Sequence, residues 1–396
     1  MTKPQPSFSS DTYHQQALVA LADADRSAAL APELTIDGPH TMADVTPEWI
    51  EQSMATNIDG AALVKMHPAD EHSGMTSRVK WQLEWNPAGQ QAGLPTTVFV
   101  KSTPAEPAHR EMLSVLHMHD AEVNFYLGLQ PELSDIAPKI WYGKAYAGGR
   151  FLLAMEDLEA SGSKPFWLKD QVGIEHMTAV ATSLAILHSR YWESPRLQTD
   201  LAWARPRTCR FGWPWLNDMT KQVRGAFMGM ANNTVLPDSA REVLALWQQH
   251  ADTAFDYFDT LPRTVLHGDS HVGNTYRKAD GSAGLFDWQV VFSGHGLRDL
   301  AYFLHSAMSE EERLEHEQSV FDHYLSEMAA RGIKLDRDTC WNLYCLFVLD
   351  RWDAAITAFV HGSYNHDREA QLRGLQATRG CIQQHNIGDR LLQLVR

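Results

Sequence analysis

The feature that most constrains the fold is a change of hydrophobic period near residue 159. Before it, apolar residues fall in short stretches with strand character, the clearest being Thr96-Thr97-Val98-Phe99-Val100-Lys101. After it they recur mostly at helical spacing, over 173–192, 239–258, 299–305, 310–331 and 336–359. Upstream, residues 61–83 read as strand broken by a turn at Ser73-Gly74, 86–95 as turn, and 139–146 and 150–155 as two more strands. Pro104 and Pro107 bracket the entry of one helix expected to run to about Leu129. Thr46-Pro47-Glu48-Trp49 has the residues of a helix start: a capping hydroxyl, a proline in the first turn and an acid at the positive end of the dipole. Downstream, only 264–267 and 274–288 look extended, the latter as a hairpin about Lys278-Ala279-Asp280-Gly281. The expectation is an α+β chain: an arm at 1–45, a β-rich lobe at 46–158 and a larger, mostly helical lobe at 159–396.

Composition narrows the partners. The 396 residues are 44% hydrophobic and 21% charged, values that exclude wholesale disorder and suit two lobes. No apolar run approaches the ~20 residues of a membrane span, and no secretory segment follows the polar start, so no membrane partner is expected. Four cysteines, none in a Cys-x-x-Cys pair, make a disulfide scaffold unexpected and a reducing cytoplasm the default. A formal net charge of −15, with no Lys/Arg run longer than two, argues against duplex nucleic acid but leaves room for a small polyanion such as a nucleotide.

The chemistry is carried by His267-Gly268-Asp269-Ser270-His271-Val272-Gly273-Asn274 and, after a hairpin, Phe286-Asp287-Trp288-Gln289. A strand delivers a polar loop with an Asp, an Asn five residues later, and a second Asp thirteen residues beyond that. Phosphoryl transfer uses those groups: one carboxylate to orient a hydroxyl and take its proton, an amide and a second carboxylate to hold metal on the nucleotide phosphates. On that pattern Asp269 is the catalytic base, with Asn274 and Asp287 as metal ligands.

These motifs resemble the aminoglycoside phosphotransferase/choline kinase superfamily and, through HGDSHVGN followed by FDWQ, most resemble its ecdysteroid-kinase-like branch. The resemblance implies a bilobal, protein-kinase-like fold, ATP and Mg2+ as cofactors, and a small-molecule acceptor bearing a hydroxyl. His267, Asp269 and Asn274 match the family's His-x-Asp-(four residues)-Asn motif, and Asp287 its metal-binding aspartate. The resemblance further implies a phosphate-binding Lys101 held by Glu122, in Glu122-Val123-Asn124-Phe125-Tyr126. It implies a covering hairpin that includes Gly74 and Ser77, and a linker at Leu152-Leu153-Ala154-Met155-Glu156-Asp157-Leu158. Backbone groups around Glu156 and Leu158 would meet the adenine there. Asp299 matches an aspartate that braces the catalytic loop.

Plainer readings stand beside these. Asp and Asn often only make turns, and Lys101 could be a solvated strand end. His267 reads as a structural hydrogen-bonder in the loop, while His271 reads equally as loop filler or as a contact to acceptor or phosphate. His109, His117 and His119 lack metal-ligand spacing and read as helix-surface residues. Phe211-Gly212-Trp213-Pro214-Trp215 reads as packing rather than as an acceptor pocket. A pseudokinase-type nucleotide-binding module and a metal-dependent hydrolase are the rival functions. Acceptor identity, ATP against GTP, and oligomeric state stay open.

Overall fold

The Thr46 hydroxyl accepts the Trp49 N–H at 3.2 Å and starts the helix Pro47–Ala55 with Pro47 in its first turn. In the computed structural model, residues 10–30, 39, 41–230, 235–361 and 368–396 are described. The chain divides into two units, Met1–Lys164 and Pro165–Arg396. Of the expected N-terminal arm, 1–9, 31–38 and 40 lie outside the described residues; Ser10–Leu30 is a helix and Met42–Asp44 a 3-10 turn. Asp25 on that first helix binds the guanidinium groups of Arg110 and Arg150, so an ionic anchor ties it to the first unit.

The first unit is built on five antiparallel strands: β1 (Leu63–Ser73), β2 (Ser77–Trp85), β3 (Thr97–Ser102), β4 (Ile140–Tyr146) and β5 (Arg150–Met155), in the order β1-β2-β3-β5-β4. Side chains alternate across a strand. Val98 and Val100 of β3 therefore join Leu152 and Ala154 of β5, Leu83, Trp85, Ile50 and Met54 in one apolar cluster. Lys101, one position along, is on the other face, paired in register with Arg78 and Leu153.

Two expectations for this unit change. The single helix to about Leu129 is two helices, Pro107–Val115 and Met118–Gly128, separated by His117 at φ 52. No Gly or Pro marks that break, and the left-handed residue that makes it is of an ordinary type. The turn-rich 86–95 contains the short helix Pro87–Gln91, capped by Asn86, whose side chain accepts the Gly89 N–H at 3.0 Å. Asn-Pro is a turn signal and also an N-cap followed by a first-turn proline.

The second unit is mainly helical: Ile174–Tyr191, Trp213–Gly229, Asp238–Phe258, Leu297–Ala307, Glu310–Ala330, Arg337–His361, Arg368–Gln384 and Ile387–Val395 are helices among the described residues. Three of these, Trp213–Gly229 and the last two, have no counterpart in the sequence reading; Arg368–Gln384 is too polar for its apolar spacing to stand out. Thr264–Leu266 pairs antiparallel with Phe292–Gly294, and Thr275–Arg277 with Ala283–Leu285 as the expected hairpin. The hairpin turn closes with the Gly281 N–H on the Lys278 carbonyl at 3.0 Å. Trp213 packs edge-on against Phe255, and the Arg207 guanidinium lies over the Trp213 ring, so that indole is part of the packing of this unit. No described helix is long and apolar enough to cross a membrane.

Candidate active site

In the second unit the strand Thr264–Leu266 ends directly in the His267–Asn274 loop. The turn after His267 needs Gly268: its φ is +84, and a Cβ there would stand 2.1 Å from the Val290 carbonyl oxygen. Asp299, at the start of the helix Leu297–Ala307, holds the loop from beneath. Its carboxylate accepts the His267 N–H at 2.6 Å and the Gly268 N–H at 3.1 Å, and its carbonyl accepts the Ser270 hydroxyl at 2.8 Å. Arg298 donates to the Gly268 carbonyl and pairs with both Asp299 and Asp350. Burial pushes the Asp299 carboxyl up, but His188 and the charge of Arg298 outweigh it and hold the group below the usual carboxylate range. His188 Nε2 stands 3.5 Å from Oδ2, so its contribution is mostly electrostatic.

His267 is fully buried and bridges the two motif segments. Its Nε2 lies 2.9 Å from the Phe286 carbonyl, which can only accept, so that nitrogen carries the proton; Nδ1 then accepts the Asp269 N–H at 3.2 Å. Burial pushes its pKa down, which suits a neutral ring. Its ring centroid is 4.5 Å from that of Trp288.

Asp269 is half-buried. The Asn274 side-chain nitrogen donates to the Asp269 carbonyl at 2.8 Å and reaches its carboxylate at 3.3 Å. That assigns the amide and leaves the Asn274 carbonyl oxygen as its acceptor or ligand atom. The Phe286 N–H bonds the Asn274 backbone carbonyl at 3.0 Å, tying the residue before Asp287 to the loop. Asp287 itself sits at φ 65, a left-handed conformation that short polar side chains tolerate best. Gln289 donates to one of its carboxylate oxygens. Asp269 and Asn274 are thus hydrogen-bonded to each other, and Asp287 follows Phe286, whose backbone ties the hairpin to Asn274 and His267. His271 lies beside them, its Nε2 3.6 Å from the Asp269 carboxylate.

Tyr302 lies beside this assembly, and the sequence did not reveal it. It stands within electrostatic reach of the Asp269 carboxylate, and burial, reinforced by that charge, pushes its pKa far up. The Arg298 and Arg351 guanidinium groups lie 4.5 and 5.2 Å from its ring centroid. The spacing of Leu297-Arg298-Asp299-Leu300-Ala301-Tyr302 puts Tyr302 three residues after Asp299, on the same side of the helix. That was the available signal.

In the first unit, Lys101 Nζ stands 2.8 and 2.7 Å from the two carboxylate oxygens of Glu122, and both residues are buried, at 3% and 1% exposure. A solvated strand end is thereby ruled out for Lys101. Gly74 and Ser77 flank the β1–β2 turn, where the His109 Nδ1–H donates to the Gly74 carbonyl at 2.7 Å. His109 therefore ties the helix Pro107–Val115 to that turn. His119 is a correction: it is buried, not on the helix surface, with Nδ1 3.2 Å from the Leu113 carbonyl and a pKa pushed down by burial.

The linker takes its shape from Asp157, whose side chain accepts the Glu159 N–H at 3.1 Å and pairs with Lys80 at 2.9 Å. The Glu156 N–H bonds the Lys139 carbonyl at 2.9 Å and the Leu158 carbonyl accepts the Ser163 N–H at 2.8 Å. The Glu156 carbonyl and the Leu158 N–H take part in none of these bonds. Lys80 escaped the sequence reading because no motif marks its position, and Asp157, though part of the linker motif, had no side-chain role there.

An antiparallel five-stranded sheet followed by a helical unit, with a carboxylate-bearing loop braced from a helix start, defines the class as kinase-like phosphotransferases of α+β fold. The chain belongs to the ecdysteroid kinase-like family, whose model matches residues 68–336. Among solved structures it is similar to an aminoglycoside 2'-phosphotransferase-IIIa variant in its GDP complex (TM-score 0.48, 14% identity, 87% of this chain and 100% of that one). It is also similar to a choline kinase from Streptococcus pneumoniae (TM-score 0.44, 12% identity, 83% and 98%). A third is a macrolide 2'-phosphotransferase from Brachybacterium faecium (TM-score 0.46, 17% identity, 80% and 93%). No curated protein matches the chain.

Proposed function

We propose that the protein is an ATP-dependent kinase that transfers the γ-phosphoryl group to a hydroxyl of a small, hydrophobic acceptor. The observation that carries this reading is the loop itself: a half-buried Asp269 on a backbone clamped by Asp299, with the Asn274 amide nitrogen engaged and its carbonyl oxygen left to ligate. The acceptor oxygen attacks the γ-phosphorus, the bond to the β–γ bridging oxygen breaks, the hydroxyl proton passes to the Asp269 carboxylate, and ADP leaves.

The oxygen donors of Asn274 and Asp287 fit a hard divalent ion such as Mg2+, and Gln289 fixes one oxygen of Asp287. When bound, such an ion neutralises charge on the phosphates. In the first unit, Lys101 would pair with nucleotide phosphates while Glu122 sets its position. Gly74 and Ser77 would contribute the turn over those phosphates. The Glu156 carbonyl and Leu158 N–H are the acceptor and donor offered to a nucleobase. His267 keeps loop and hairpin in register and exchanges no proton. The family membership supports an alcohol of apolar, steroid-like character as the acceptor class.

A screen of hydroxylated metabolites for acceptor-stimulated ADP release tests the reading; no stimulation by any apolar alcohol, with ATP and Mg2+ bound, would return the protein to a nucleotide-binding module. Asp287→Ala should weaken Mg–ATP binding by at least the roughly 10–100-fold seen when a metal site loses a supporting group, and isothermal titration calorimetry reads this directly. Tyr302→Phe removes a buried hydroxyl within electrostatic reach of the Asp269 carboxylate and should lower turnover while ATP affinity holds; unchanged turnover would take Tyr302 out of the site.

A further inference from the structure

The helix that braces the loop carries a second buried polar cluster, which phosphoryl transfer does not use. His305 from Leu297–Ala307, Glu317 from Glu310–Ala330 and Cys381 from Arg368–Gln384 meet at 1%, 2% and 0% exposure. His305 Nε2 is 2.9 Å from Cys381 Sγ and 3.2 Å from Glu317 Oε1, and one donor atom from each residue lies within 4.8 Å of the others. His305 Nδ1 is 2.8 Å from the Ala301 carbonyl, which only accepts, so the proton of the neutral ring is on Nδ1. Nε2 then turns a lone pair towards a carboxylate oxygen that also only accepts. Either the Cys381 S–H donated to Nε2 or a metal ion held between the three groups satisfies that lone pair.

The surroundings favour the metal. A ring whose far N–H is fixed by a backbone carbonyl is the usual arrangement of a ligating histidine. The carboxylate is held from behind: Tyr344 donates to Oε1 at 2.9 Å, and His385 Nε2 lies 2.8 Å from Oε2. Arg313 stands 3.6 Å from Oε2 and bonds Gln384, so it faces the far oxygen. Ligand bonds of about 2.0–2.3 Å in tetrahedral geometry put neighbouring donors about 3.3–3.7 Å apart. The His305–Glu317 spacing is close to that already, and the Cys381 sulfur needs a small outward rotation.

We propose that His305, Glu317 and Cys381 form a structural zinc site that ties the loop-bracing helix to the two helices packed beside it. Thiolate with imidazole selects a borderline ion such as Zn2+ over Mg2+ or Ca2+, which prefer all-oxygen sets. On binding, the Cys381 S–H proton goes to solvent and an S–Zn bond takes its place. The link to the loop is short: Ser306, next to His305, accepts the Val272 N–H at 3.1 Å.

The test is metal content and cobalt spectroscopy on the full chain. Protein purified without chelator, or dialysed against zinc, should retain about one equivalent of zinc by mass spectrometry. Co2+ in its place should give a thiolate-to-cobalt charge-transfer band and the visible bands of a tetrahedral ion. Cys381→Ser should lose the charge-transfer band and the tightly held zinc. No retained metal and no thiolate band in the wild-type chain would overturn the proposal, and so would a full equivalent still held by a folded Cys381→Ser variant. If that variant does not fold, the wild-type cobalt spectrum decides alone.

Discussion

Replacing Asp269 with asparagine is expected to lower turnover by roughly two to four decades, the contribution of a positioned general base, with ATP affinity changed little. The substitution keeps shape and most hydrogen bonds. Asn274 can still donate to the Asp269 backbone carbonyl. What disappears is the ability to take the acceptor's proton. The measurement is single-turnover phosphoryl transfer to the best acceptor from the metabolite screen, with calorimetric ATP binding on the same sample. Wild-type turnover would remove Asp269 from its role. Loss of ATP binding together with turnover would instead mean that the loop had collapsed, and the assignment would then pass to the intact-loop variant Tyr302→Phe.

Asp299→Ala is expected to cost about 3–5 kcal/mol of stability, the usual loss when one member of a buried, charge-paired group is removed. Two backbone N–H groups, those of His267 and Gly268, lose their acceptor, and Arg298 loses one of its two carboxylate partners. No water-exposed path replaces them, since Asp299 is fully buried. The sign of the pH dependence follows. The folded-state pKa of Asp299 is depressed, so its contribution is present above the unfolded-state value and is lost as pH falls through the folded one. The variant should therefore show a lower denaturation midpoint near neutrality with an unchanged m-value, and a shallower loss of stability on acidification. A midpoint within error of wild type would show that the loop is held by something else. Asp299→Asn should be intermediate, because its amide oxygen can accept from one N–H while its NH2 group opposes the other.

Much was legible in the chain because it is local. The β-branched run at 96–101 and the helical spacing after 173 divide the chain into its sheet and its helices, and Thr46-Pro47 carries the cap and first-turn proline of a helix start. The HGD loop and the hairpin after it could also be read, because His-Gly-Asp, the Asn five residues on and the Lys278-Ala279-Asp280-Gly281 turn are local patterns. The break at His117, the polar helix Arg368–Gln384, and Tyr302 were not legible. Each depends on what lies across space: a left-handed residue without glycine, a helix stabilised by neighbours instead of its own apolar stripe, a buried ring whose charged neighbour is 33 positions away in the chain.

Residue type and spacing alone thus determined the α+β division, the family and where the HGD and FDWQ motifs fall. Only folding decided that His267 is a neutral bridge, that Lys101 and Glu122 are a buried pair, and that His305, Glu317 and Cys381, read as nothing in the sequence, meet in one buried cluster. The reason is physical: periodicity and turn chemistry act over a few residues, whereas protonation, ion pairing and ligand geometry depend on burial and on groups brought together from distant parts of the chain.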